Sequence, residues 1–321
     1  MTFIDYIAER KFIHLADIVF TFVQEDTFNG TPVLRHTSQL FDGCIIYLVY
    51  NFMPQFLEFL PFINVTFTLI SGLSDFTAPY YSDHHRVDGM RILNNPMLKG
   101  WYALNITHHH PKLHHIPIGI PRSVPFLGSG FDVDKKDLPE FEEYIGWYNS
   151  KTFMDMEWVY RISSPTLSAI IDRMREKLNS DKLIYISFTE SNSDKSNIAA
   201  TRGFRRALAD YIKHNTDFEL HPLLPWKTYV DTLKHYKYTI EPFGRCMDGY
   251  RVWEALSLGV VPIVFRSPIN ELHEQLPFLI IDSFDQLTRD YLEAQYPVIV
   301  EKQYELERLD MEYWRKKIRS L

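Results

Sequence analysis

The chain has 321 residues, 45% of them hydrophobic and 15% aromatic, and 34 Lys+Arg against 41 Asp+Glu give a net charge of −7. That composition excludes a disordered or fibrous chain, and the length suits two packed domains of about 150 residues each. The mildly acidic balance argues against nucleic acid as the main partner, and two cysteines so far apart as Cys44 and Cys246 point to a reducing compartment rather than a disulfide framework.

The opening residues lack the basic-then-apolar layout of a signal peptide. The most apolar stretch, residues 56–73, is interrupted by Glu58, Pro61 and Asn64, so no membrane span is read and a soluble, cytoplasmic protein is expected. Residues 44–50 form a β-branched and aromatic run too short for a helix, which predicts a buried strand. Residues 65–70, 101–105 and 115–120 read the same way, with a short capped helix at 94–100. After a polar Gly-Ser-Gly loop at 128–137, apolar residues at helical spacing predict a helix over 167–178, and the domain junction is placed between the two.

The second half alternates more regularly. Strands are predicted at 182–188, 236–241 and 260–265, and helices at about 201–213, 227–235 and 250–258. Gly259 supplies the stop signal for the last of these. A charged helix is expected over about 300–321, with Tyr304, Met311, Trp314 and Ile318 on one side. Strand, loop, helix, strand is the grammar of a doubly wound α/β nucleotide-binding domain.

The stretch 241–264 carries most of the chemistry. A Gly-bearing turn at Gly244 stands between a strand's carboxyl end and a helix N-terminus, where free N–H groups and the helix dipole favour an anion. Arg251 and Glu254 lie three apart on that helix and share a face. Glu254 suits a ribose and Arg251 a phosphate, although an ordinary surface ion pair explains the spacing equally well. Arg202, Arg205 and Arg206 gather at another predicted helix start, where cations are disfavoured unless an anion bridges them or nearby carboxylates pair with them.

Residues 241–264 resemble the donor-nucleotide motif of exostosin-like glycosyltransferases, close to P-x-G-x-G-x-D-x-H-R-x-W-E-A-L-x-x-G-x-x-P-I-V. Pro242, Gly244, Asp248, Arg251, Trp253, Glu254, Ala255, Leu256, Gly259, Pro262, Ile263 and Val264 match, while Cys246 replaces the second Gly and Tyr250 the His. Weaker similarity to small enzymes of this kind, including ones encoded by large algal viruses, extends to residues 68–75, 101–105, 116–119, 182–207 and 229–241. The resemblance implies a GT-B fold: two Rossmann-like domains facing across a cleft, here residues 1–160 on the acceptor side and 161–300 on the nucleotide-sugar side, with 301–321 crossing back to the first. It implies a UDP-sugar donor (xylose is one possibility), a glycan acceptor, and inversion by direct displacement without a metal. Gly244, Asp248, Tyr250, Arg251 and Glu254 would serve the donor, with Arg202 and Arg206 stabilising the leaving group.

Inversion needs a base for the acceptor hydroxyl. Asp75 is the first candidate because it follows a strand through a Ser-Gly turn; Asp26, Asp83, His84 and His85 are alternatives. Trp101 and Asn105 are the acceptor-side candidates, and Trp226 and Tyr250 are further aromatics suited to a sugar face. The histidines of 108–115 cannot all face one ion from a loop and are read as acceptor-side or incidental loop polarity, and Asp132-Val133-Asp134 lacks a preceding apolar strand and is read as surface. A nucleotide-sugar epimerase or hydrolase of the same fold, or a sugar-binding protein without turnover, remains open at this stage.

Overall fold

The computed structural model describes residues 6–80, 88–120 and 166–321. It is a mixed α/β structure built on two parallel sheets. Strands β1 (Ile18–Phe20), β4 (Cys44–Val49), β5 (Phe67–Gly72), β6 (Leu98–Ala103) and β7 (Leu113–His115) form the first in that order; β2 (Thr27–Phe28) and β3 (Thr31–Pro32) are a separate antiparallel hairpin. The second sheet runs β11 (Leu279–Ile281), β10 (Val261–Phe265), β9 (Tyr238–Ile240), β8 (Ile184–Tyr185). Every residue of β4, β5 and β10 is buried, which is why these strands read as unbroken apolar runs rather than alternating ones.

Helices α1 (Met53–Phe59) and α2 (Met90–Leu93) lie along the chain between first-sheet strands. Helices α3 (Ser168–Glu176), α4 (Phe204–Asn215), α5 (Trp226–Leu233), α6 (Tyr250–Ser257), α7 (Asn270–His273) and α8 (Arg289–Glu301) accompany the second sheet, and α9 (Met311–Arg319) follows. Helix α6 starts where expected because Gly249 is extended, and Gly259 ends its turn at φ 67°. The single helix expected over 300–321 is instead two, α8 and α9, with a 3-10 turn between them. Asp310 restarts the chain by accepting from the Glu312 N–H, a capping signal inside the stretch that was read as continuous. The helix expected at 94–100 is a turn capped by Asn95 Oδ1 on Met97 N, leading into β6.

Helix α9 reaches the first sheet. Lys99 Nζ donates to the Leu321 carbonyl at 2.6 Å, Arg319 Nη2 to the Leu15 carbonyl at 3.3 Å, and Trp314 packs edge-on against Phe12 at 5.8 Å. One buried cluster joins residues of both sheets with α3 and α9, while a second fills the far face of the first sheet under α1. Among the described residues, no helix is long and apolar enough to cross a membrane.

Candidate functional site at the facing strand ends

The loops that leave the carboxyl ends of the two sheets touch each other. Asn197, after β8, donates its Nδ2 to the Asp75 carbonyl, after β5, at 2.8 Å. Asn105, after β6, accepts from both Met247 N and Asp248 N at 3.2 Å, after β9. Ile118 N donates to Asp248 Oδ2 at 2.8 Å. Carboxyl ends of parallel strands are where open α/β sheets bind ligands, so two such ends brought together define the candidate site.

The second-sheet wall is a buried charge cluster. Arg205, from α4, is 2% exposed; its Nη2 meets Glu241 Oε1 at 2.7 Å and the Pro242 carbonyl at 3.1 Å, while Nε meets the Phe243 carbonyl. Arg251, from α6, stands with Nη1 3.8 Å from Glu241 Oε2 and donates to the Ser187 carbonyl. Arg205 Nη1, Glu241 Oε2 and Tyr229 Oη are buried with no hydrogen-bond partner among the described residues. Glu254 is buried, and its charge adds to the burial that pushes the Tyr229 phenol up. Gly244 leaves little room for a side chain: a Cβ there would sit 3.0 Å from Arg205 Nη2 and 3.2 Å from Asn192 Nδ2.

The first-sheet wall centres on the turn after β5. Leu73 takes a left-handed φ of 60°, uncommon for a branched side chain, and its N–H donates to Glu9 Oε1. Glu9 also approaches Tyr250, whose Oη lies 3.4 Å from its Oε2. Gly72 is required here, since a Cβ would lie 2.6 Å from Tyr47 Oη. Asp75 reaches solvent, yet the protein around it desolvates its carboxyl and raises it above the usual carboxylate range, with Arg245 opposing. The Cys246 thiol beside it is pushed well up by burial and then by Asp75, Asp248 and Glu241.

The candidates read from sequence separate into two groups. Asp75, Gly244, Tyr250, Arg251 and Glu254 come together at the facing ends. Arg202 is exposed, with its Nε on the Ser196 carbonyl, and Arg206 is exposed and paired with Asp194 at 2.7 Å. Three expectations need correction. Trp101 is fully buried with its Nε1 on Ser71 Oγ at 2.8 Å, so it offers no face to an acceptor. Asn105 is 1% exposed and occupied as the clamp on the Met247 and Asp248 backbone. Asp248 is likewise sealed, both oxygens taken by Ile118 N and Trp253 Nε1, so it shapes the motif loop and does not face a donor.

His115 is no loop polarity either: it is buried, with Nε2 3.7 Å from Asp248 Oδ2 and its ring 6.4 Å from that of His273. Burial pushes Asp248 up to about 7 and His115 down to about 3, so the neutral forms are favoured. Among the described residues no group of three or more His, Cys, Asp or Glu is arranged to hold a metal. Asp26 is exposed beyond β1; Asp83, His84, His85, Asp132, Asp134, residues 128–137 and the Trp226 side chain lie outside what the structure describes. Sequence reading missed Glu9, Arg245 and Glu241, and left Arg205 undistinguished from its neighbours. Arg205 carries one available signal, since position 205 shares the α4 face of buried Leu208, Ala209 and Ile212.

Compared with known proteins, the chain matches no family model and no curated protein.

Proposed function

We propose that this chain is a glycosyltransferase of the GT-B type, moving a sugar from a UDP-sugar to a glycan hydroxyl with inversion. The two sheets are then two Rossmann-like units, 1–160 and 161–300, with 301–321 returning to the first. The observation that carries the reading is the meeting of both sets of carboxyl strand ends, which sets Asp75 opposite the Gly244–Arg245 turn. The motif resemblance of residues 241–264 supplies the chemistry.

In this reading the acceptor oxygen bonds to the anomeric carbon as the bond from that carbon to the diphosphate oxygen breaks. The diphosphate leaves with the bonding electrons, and the hydroxyl proton passes to Asp75. A carboxylate raised by desolvation is a stronger base, and Arg245 opposes part of that rise. Arg251, together with Arg202 from the segment before α4, neutralises the departing diphosphate, a service that fixed cations supply without reorganisation. The resemblance gives the donor's ribose to Glu254, whose charge acts with those of Arg251 and Glu241 on the Tyr229 phenol. Cys44 and Cys246 are both free, which supports work in a reducing compartment such as the cytoplasm.

Incubation with a panel of labelled UDP-pentoses and UDP-hexoses plus neutral glycan acceptors tests this directly. Transfer to acceptor is expected, and Asp75→Asn should lower kcat at least about 100-fold while UDP affinity stays within about twofold. Acceptor-independent conversion of the donor would favour the epimerase or hydrolase instead. No UDP binding at millimolar concentration would overturn the proposal.

A further inference from the structure

Phe22 is 61% exposed, although large aromatic side chains are ordinarily drawn inside. Two other phenylalanines are as exposed, but they sit elsewhere: Phe41 precedes β4 at the amino end of the sheet, and Phe62 ends the 3-10 turn after α1. Phe22 lies two residues beyond β1, at the carboxyl end. The registers Phe20↔Leu48, Leu48↔Ser71 and Ser71↔Ala103 place the carboxyl ends of β1, β4, β5 and β6 along one row. Two strand spacings, about 10 Å, therefore separate the end of β1, which Phe22 follows, from the end of β5, which the Asp75 turn follows.

The ring is held in place. It packs on Phe52 at 5.3 Å and 46°, and edge-on against Phe20 at 6.1 Å, which is itself anchored on Phe56 in the core. Arg35 Nη2 pins the following backbone by donating to the carbonyls of Val23 and Glu25, each at 2.6 Å. Exposed carboxylates follow at once, Glu25 and Asp26. A rigid aromatic face costs little to order on binding, and carboxylates beside it accept hydroxyl hydrogen bonds.

We propose that Phe22 and Phe52 form a stacking platform for one pyranose ring of a neutral glycan, the acceptor subsite of the transferase reading on which this inference rests. A pyranose is amphipathic in the way this surface is, with C–H groups on one face and hydroxyls around the rim. Two half-open rings are far too small for a stable dimer, which buries about 800 Å² on each partner. The acidic rim disfavours an anionic ligand.

The test uses the full chain with Phe22→Ala, Phe22→Leu and Phe22→Trp, each first shown to keep the parent's Tm. Saturation-transfer NMR with neutral disaccharides ending in a pentose, a hexose or a deoxyhexose measures glycan affinity, and calorimetry measures UDP affinity. Phe22→Ala and Phe22→Leu should each weaken glycan binding at least about fivefold, Phe22→Trp should retain it, and UDP affinity should not move. Unchanged glycan affinity in Phe22→Ala overturns the platform, and parental affinity in Phe22→Leu overturns ring stacking as its basis. Loss of self-association in Phe22→Ala would assign the surface to a second copy of the chain and overturn the proposal. If the parent binds glycan through Phe22 but neither binds UDP nor transfers sugar, the platform stands and the transferase reading falls. If UDP binds and transfer proceeds with the glycan KM unmoved in Phe22→Ala, the platform alone falls.

Discussion

The two walls of the candidate site are built on opposite principles. The second-sheet wall closes its charges inward: Arg205, Glu241, Arg251 and Glu254 are buried or nearly so and answer one another or the backbone. The first-sheet wall keeps tension and exposure instead, with Leu73 and Asn105 at positive φ, Asp75 open to solvent and Phe22 uncovered. Mutually dependent buried charges restrict substitution, yet only those that share one helix face, Arg251 and Glu254, stand out in sequence; Arg205 and Glu241 meet across 36 residues. A wall shaped by backbone conformation leaves its mark on residue identity only here and there.

The sharpest way to break this contrast is Arg205→Met. It leaves Glu241 buried without its main partner, and denaturant unfolding should show a loss of about 3–5 kcal/mol. The double variant with Glu241→Leu should recover much of that loss; no recovery would mean that Arg205 matters for packing and not as half of a charge pair. On the other wall, Asn105→Ala strips the acceptor from two backbone N–H groups and keeps φ at 50°, and about 2–3 kcal/mol should be lost. Asn105→Gly relieves the conformation but not the lost bonds, so it should land in between, and a Gly variant as stable as the parent would show the clamp to be dispensable.

At the seam between the walls the pH dependence has two opposing parts. Asp248 keeps its proton in the fold up to about 7 against an ordinary 3.8, so its contribution to stability falls as pH rises from about 4 to about 7. His115 stays neutral in the fold down to about 3 against 6.5, so its contribution falls as pH drops from about 6.5 to about 3. Tm measured from pH 4 to pH 7 should rise more steeply in Asp248→Asn than in the parent, and less steeply in His115→Gln. Equal slopes in all three proteins would refute the neutral assignment. The smallest effect is expected from Arg206→Ala, whose exposed pair with Asp194 should leave the unfolding midpoint unchanged at low and high salt alike.

The parallel strands were legible because burial on both faces forces continuous apolar runs, as in β4 and β10. The α6 motif was legible for the same reason that its substitutions are restricted. Edge strand β1 escaped notice, since Ile18-Val19-Phe20 is only three residues long. The ends of β6 and β7 were placed too late because apolar residues continue past the ladder into the buried contact with the other half, as Leu104 and Ile118 do. Trp101 and Asn105 looked like ligand residues, yet nothing local distinguishes an aromatic or amide facing a crevice from one filling a core. Glu9 was invisible for a different reason: its partners, Leu73 and Tyr250, are 64 and 241 residues away.

The return of α9 onto the first sheet has a consequence for biosynthesis. Lys99 meets Leu321 across 222 residues, and Arg319 meets Leu15 across 304. Residues 311–321 must therefore be made before the first sheet acquires this covering, while the second sheet is completed by neighbours made shortly before and after it. Contacts of such long range are slow to close and leave apolar surface waiting. The nascent first sheet, with Phe12 still lacking Trp314, is thus the segment most in need of chaperone attention during translation.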